Sequence, residues 1–115
     1  MNKRQLGGLY ERQAEAYLCS LGYEIVERNF RCRQGEIDLI GREGAYLCFI
    51  EVKYRQNSCL GDPLEAVDFR KQRKMILTAQ VYLTAHPRDQ SGSCRFDVVG
   101  IMPGQIRLIR NAFTC

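Results

Sequence analysis

"GEIDLIGREGAYLCFIEVKYR", Gly35 to Arg55, is the stretch that decides the fold. Ile37, Leu39, Ile40, Leu47, Phe49, Ile50 and Val52 give it the content of two neighbouring strands, Gly35 to Gly41 and Ala45 to Arg55. Glu36, Asp38, Glu51 and Lys53 are set into the same apolar runs. Side chains alternate along a strand, so Glu36, Asp38 and Ile40 share one face and Glu51 and Lys53 share one face of the next strand. A two-residue turn at Glu43-Gly44 predicts Glu36 opposite Glu51, with Asp38 opposite Phe49 and diagonal to Glu51. All three acids then point to one side, and Lys53 follows one step further along.

Like charges directly opposite each other destabilise a sheet. Buried together, they take up protons or need a cation. Two readings of the residues stay open. Glu51 and Lys53 could be a cross-strand ion-pair set with Glu36 at a solvated strand end. Alternatively, Lys53 neutralises one acid and a hard ion such as Mg²⁺ is held by the others, with waters and a substrate phosphate completing its shell.

Outward from this stretch, Leu6, Leu9, Tyr10, Ala14, Tyr17, Leu18 and Leu21 recur at helical spacing, and Gly22 stops the run. The spacing predicts a first helix over about residues 4–21 and a strand over Tyr23 to Phe30. After a loop from Asn57, Asp62-Pro63-Leu64-Glu65 reads as a helix start, with a second start at Asp68. The long helix is expected to end near Ala85, before Pro87. "CRFDVVGIM" and "QIRLIRNAF" are two final strands joined by a Met102-Pro103-Gly104 turn. The order is α-β-β-β-α-β-β, an α/β fold with a mixed central sheet flanked by helices on both faces.

With 115 residues the chain is expected to be one domain, 1–115, with a core that needs no staples. No apolar run reaches the roughly 20 residues of a membrane span. The opening "MNKRQLGGLYERQAEAYL" has no signal-peptide core, so the expectation is a cytoplasmic protein without a membrane partner. The six cysteines form no CxxC, and the only histidine is His86, which leaves zinc and disulfide frameworks without support. They are expected to be reduced thiols, with Cys48 in the core. The net charge of +4 permits nucleic-acid binding without requiring it. "FRKQRK", Phe69 to Lys74, sets Arg70, Lys71, Arg73 and Lys74 near a helix start, where the dipole favours anions rather than cations. A phosphate partner accounts for the placement, as does a solvated basic face. Arg31, Arg33 and Arg55 would extend that surface towards the acids. No RNA-recognition signature is present, so on the residues alone the type of polynucleotide stays open.

A resemblance adds to this reading. It is carried by Gly7 and Glu11, Asn29-Phe30-Arg31, Gly35-Glu36-Ile37-Asp38-Leu39-Ile40 and Phe49-Ile50-Glu51-Val52-Lys53. Pro63, Glu65-Ala66-Val67, Lys71, Arg95-Phe96-Asp97-Val98-Val99 and Asn111-Ala112-Phe113 fit as well. An acid on one strand followed by ExK on the next resembles the PD-(D/E)xK nuclease signature. The whole set resembles the YraN-like family of bacterial proteins, with Tyr10 standing where relatives often have glycine.

The resemblance implies a restriction-endonuclease-like core. It implies that Asp38 and Glu51 are the principal ligands of Mg²⁺ or Mn²⁺, with the Val52 carbonyl as a third. Lys53 would orient or help deprotonate the attacking water, and Glu11 would approach from helix one, as in resolvase-like nucleases. Glu36 would support the metal shell or bind a second ion. Tyr10 implies a narrower approach. The expected function is metal-dependent phosphodiester hydrolysis, on branched or structured DNA by analogy with the resolvases. The alternatives are a nucleic-acid-binding accessory protein without catalysis and a structural protein in which the acids close an ion-pair network. A nuclease cutting two strands would be expected to work as a symmetric homodimer, and Phe113 and the final strand are candidates for its interface.

Overall fold

The computed structural model describes residues 1–56, 67–88 and 92–114. Helix α1 spans Lys3–Ser20. Asn2 caps it reciprocally with Gln5, and the chain leaves through Gly22 in the left-handed region at φ 100°. Strands β1 (Glu24–Cys32), β2 (Gly35–Glu43) and β3 (Tyr46–Tyr54) follow as a meander. Helix α2 (Phe69–Ala85) crosses over to β4 (Ser93–Met102), and β5 (Gln105–Phe113) returns beside it. The α2 start is the one expected at Asp68, whose carboxylate accepts the Lys71 N–H at 2.9 Å. The expected start at Asp62 to Glu65 and the loop from Asn57 lie outside the described residues.

The strand order is β1-β2-β3-β4-β5, with β3 and β4 parallel and the other neighbours antiparallel. A parallel pair needs a long crossover, which α2 supplies. Each face of the sheet is covered by one helix. Leu47 and Phe49 of β3 pack with Met75, Ala79 and Tyr82 of α2. Cys48 and Ile50 pack with Ala14 and Leu18 of α1. The mixed α/β architecture and its element order agree with the sequence reading, as does buried Cys48. Among the described residues no helix is long and apolar enough to cross a membrane.

Two details of the sheet differ from expectation. The β2–β3 ladder pairs Glu43 with Tyr46, so the turn is Gly44-Ala45 rather than Glu43-Gly44. Gly44, with φ 59°, takes the left-handed conformation such a turn demands. Phe49 therefore faces Ile40 rather than Asp38, and extending the register sets Asp38 level with Glu51. The correction shifts the partner by an even step, so it leaves Glu51 and Lys53 on their expected face. Glu36, however, does not share the face of Ile40 as expected, because Ile37 and Ile40 lie in the same core. The second difference is Phe113, which is buried and stacked on Phe96 at 4.8 Å. It is a core residue, not an exposed interface candidate.

Strict alternation also lapses at Asp38. Ile37 and Ile40 both lie in the core under α2, while Leu39 lies in the core under α1. Opposite this step β1 carries Asn29 at φ 52°, and no pair is formed between Arg28–Leu39 and Phe30–Ile37. The β2–β3 ladder stops at Leu39–Ile50. Beyond it, β2 stays with β1 as far as Gly35, and β3 stays with β4 as far as Tyr54. The site forms where the two central strands part.

Candidate functional site

A cleft of about 260 Å³ opens at this parting. Glu36 and Asp38 line it from β2, and Glu51, Val52, Lys53 and Tyr54 from β3. Gly7, Tyr10 and Glu11 enter from α1, and Lys71 from α2. Helix α1 thus presents its second and third turns, and α2 its first, to the open end of the sheet.

Asp38 and Glu51 form its floor, at 8% and 5% exposure, with their carboxyl groups in hydrogen-bond contact. Two carboxylates in contact resist joint ionisation, so their titrations are coupled and one of them is pushed up. Burial, and then the hydrogen bond and charge of Glu51, push Asp38 up to about 9. Burial opposes ionisation of Glu51 as well, but the hydrogen bond from Asp38 and the Lys71 ammonium outweigh it and hold Glu51 down. Asp38 Oδ2 also accepts the Val52 N–H at 2.8 Å. A side chain of β2 thereby takes the place of the ladder bond that the parting strands no longer make. Val52 meets the acidic pair through this N–H.

Lys71 Nζ lies 2.9 Å from Glu51 Oε2. The approach is close enough for an ion pair but off hydrogen-bond geometry, and Oε2 has no hydrogen-bond partner. Lys53 acts on Glu51 through its charge, less strongly than Lys71. The sequence reading gave this neutralising role to Lys53 and treated Lys71 as a phosphate contact. A signal for Lys71 was present, because positions 71, 75, 78 and 82 form one stripe and Met75, Thr78 and Tyr82 are its buried members.

The other acids stand higher in the cleft. Glu11 is half-buried and hydrogen-bonded to Asn29; burial raises its pKa, Asn29 lowers it, and the charges of Glu36 and Glu51 raise it again. Glu36 is exposed and pairs across the strands with Arg31 at 2.9 Å. It belongs to the rim. Tyr10 packs on Tyr54 with ring centroids 4.1 Å apart and forms one wall of the cleft.

Of the expected basic surface, only Lys71 lines the cleft together with Lys53. Arg70, Arg73 and Lys74 lie on the exposed side of α2, and Arg33 sits in the β1–β2 turn. Arg55 follows the end of β3, where its N–H donates to the Ile101 carbonyl at 2.9 Å. Arg31 lines a neighbouring groove with Lys3, Arg4, Gly7, Gly8, Glu11 and Asn29.

The donor set suits a hard divalent ion. Mg²⁺ is usually held by one or two carboxylates with waters and substrate phosphate rather than by an all-protein cage. Among the described residues no three Asp, Glu, His or Cys side chains form such a cage. Asp38 and Glu51 would supply the two carboxylates, with one Glu51 oxygen paired to Lys71 in this arrangement.

A second buried acid does different work. Asp97, fully buried, accepts Tyr23 Oη at 2.7 Å, Arg95 Nε at 2.9 Å and the Asn111 N–H at 3.0 Å. Arg95 continues to Glu43, which Arg110 grips bidentately at 2.8 and 2.7 Å. The oxygens of Asp97 are satisfied, and the bonds join β2, β4 and β5 to Tyr23, the residue just before β1. This network locks the sheet.

Residues 10–101 match the model of a family described as "Uncharacterised protein family UPF0102". A UPF0102 protein of Lachnoclostridium phytofermentans is 50% identical over 113 residues, covering 98% of this chain and 96% of that one. One from Stutzerimonas stutzeri is 46% identical over 121 residues, covering 98% of each. One from Chlorobium chlorochromatii is 50% identical over 97 residues, covering 84% of this chain and 74% of that one.

Proposed function

The chain belongs to the UPF0102 (YraN-like) family, and from the geometry of its cleft we propose that it is a Mg²⁺- or Mn²⁺-dependent nuclease of the PD-(D/E)xK type, with a restriction-endonuclease-like core. The observation that carries this reading is the pair at the cleft floor. Asp38 and Glu51 touch, are nearly inaccessible, and stand between two lysines at the point where the strands part.

Asp38 and Glu51 would hold the ion through their carboxylate oxygens. Bound there, a divalent ion would supply Lewis acidity and make its bound water more acidic than bulk water. Lys53 and Lys71 place positive charge where a phosphodiester would enter. Glu11, its pKa raised mainly by burial, is suited to exchange a proton with water or with the leaving oxygen. Glu36 and Arg31 at the rim neutralise each other and help define the entrance. DNA is the proposed polynucleotide, branched or structured DNA the proposed form, and a symmetric dimer the assembly for cutting two strands.

One observation favours a second reading. Lys71 already neutralises Glu51, as it would in a nucleic-acid-binding module that performs no chemistry. Cleavage of linear, single-stranded and junction DNA with Mg²⁺ or Mn²⁺, compared between wild type and Glu51→Ala, separates the two. Cleavage lost in Glu51→Ala supports the nuclease. Binding without cleavage in either protein supports the accessory module, and equal cleavage in both sinks the assignment of Glu51.

A further inference from the structure

Lys71 occupies the position from which a cation would neutralise Glu51. Its ammonium is 2.9 Å from Oε2, on a side chain 30% exposed, while the glutamate side chain is only 7% exposed. The partner oxygen has no hydrogen bond to hold it in this arrangement. The Lys71 main chain, in contrast, is fixed by the Asp68 cap at the first turn of α2. A rigid base with a flexible four-carbon stem lets the charge move without the helix moving.

Resting on the metal-site reading above, we propose that Lys71 makes metal binding and nucleic-acid binding mutually dependent. A divalent ion on Glu51 must displace the ammonium, which otherwise remains beside the ion as a like charge. Lys53 stands on the same wall of the cleft and adds to that repulsion. An entering phosphate relieves it by offering Lys71 a new anionic partner. Each ligand therefore raises the affinity of the other, and reciprocity requires the two factors to be equal. The protein alone holds its metal weakly, and the site loads when a phosphodiester is present.

The test is calorimetric titration of Mn²⁺ into the full chain, with and without a hydrolysis-resistant phosphorothioate DNA oligonucleotide. Wild type is expected to bind Mn²⁺ about fivefold or more tightly when the oligonucleotide is present, within the usual range for coupled sites. Lys71→Met is expected to bind Mn²⁺ alone more tightly than wild type and to respond to the oligonucleotide by less than twofold. Lys71→Arg, which keeps the charge, is expected to retain the response. Wild-type affinity that is the same with and without oligonucleotide overturns the proposal, and that result needs no variant to fold. An unchanged response in Lys71→Met overturns it equally. Failure of the metal-site reading has its own signature: no Mn²⁺ binding to wild type or to Lys71→Met under either condition, which overturns both.

Discussion

Asp38 Oδ2 accepts the Val52 N–H at 2.8 Å, joining β2 to β3 one step beyond their last ladder pair. The bond lets the strands part without leaving a buried N–H unpaired, and it fixes Asp38 beside Glu51. Closing one bond creates both the cleft and its acidic floor.

The proton held by this pair predicts how stability varies with pH in the absence of metal. Asp38 is raised from 3.8 to about 9, so between those values the folded protein keeps a proton that the unfolded chain has lost. The stability it contributes is fully present below the unfolded value and is lost as pH rises through about 9. Asp38→Asn keeps an acceptor for Val52 and a donor for Glu51 without the titration. In EDTA at pH 8 it is expected to be more stable than wild type by several kcal/mol, with the gap closing near pH 4. Urea midpoints across this range check it, and a gap that widens towards acid would contradict it.

Glu43 predicts the opposite dependence. Hydrogen bonds from Arg110 hold its carboxyl down to about 2 against the effect of burial, with Arg95 adding to them. Its contribution is present above the unfolded value of 4.5 and is lost as pH falls through about 2. Glu43→Gln is expected to be less stable than wild type at pH 6 and to converge with it towards pH 2. Thermal melts at several acid pH values check the convergence.

Asp97 is expected to be the most sensitive acid for folding. Asp97→Ala removes at once the buried acceptor of Tyr23, Arg95 and the Asn111 N–H and leaves Arg95 with Glu43 alone, and loss of about 3–5 kcal/mol is expected. Tyr23→Phe removes one neutral donor to Asp97 Oδ2 and one acceptor of Arg95 while the carboxylate–guanidinium pair stays, and should lose only about 1–2 kcal/mol. Equal effects in denaturant titrations would contradict the network described.

Two glycines separate helix propensity from steric need. At Gly8, in the middle of α1, an added Cβ meets only the tip of Arg12 at 3.8 Å. Gly8→Ala should stabilise the protein by about 1 kcal/mol. At Gly41 an added Cβ would meet the Glu24 carbonyl and Ile25 Cδ1 at 3.0 Å, where β1 is bulged. Gly41→Ala should lower the melting temperature.

The element order and the face shared by Asp38, Glu51 and Lys53 were legible because strand alternation and helical spacing are local properties. Partners across the strands were not. Gly44 could head the turn or close it, and only its left-handed backbone shows which, moving Asp38 level with Glu51. Lys71 was legible as a charge on a buried stripe but was grouped with Arg70, Arg73 and Lys74. Its distance to Glu51 depends on the crossover that returns α2 over the sheet. Phe113 sits at the chain's last strand, where sequence position suggested exposure and stacking on Phe96 buries it.

The central claim is that Asp38 and Glu51 together hold a divalent ion. Crystals of the wild-type protein grown with Mn²⁺, with anomalous diffraction collected at the manganese edge, test it directly. The account predicts one anomalous peak between the two carboxylates, about 2.1–2.2 Å from an oxygen of each, with Lys71 moved off Glu51. A map with no peak there at saturating Mn²⁺, and Lys71 still paired with Glu51, would contradict it.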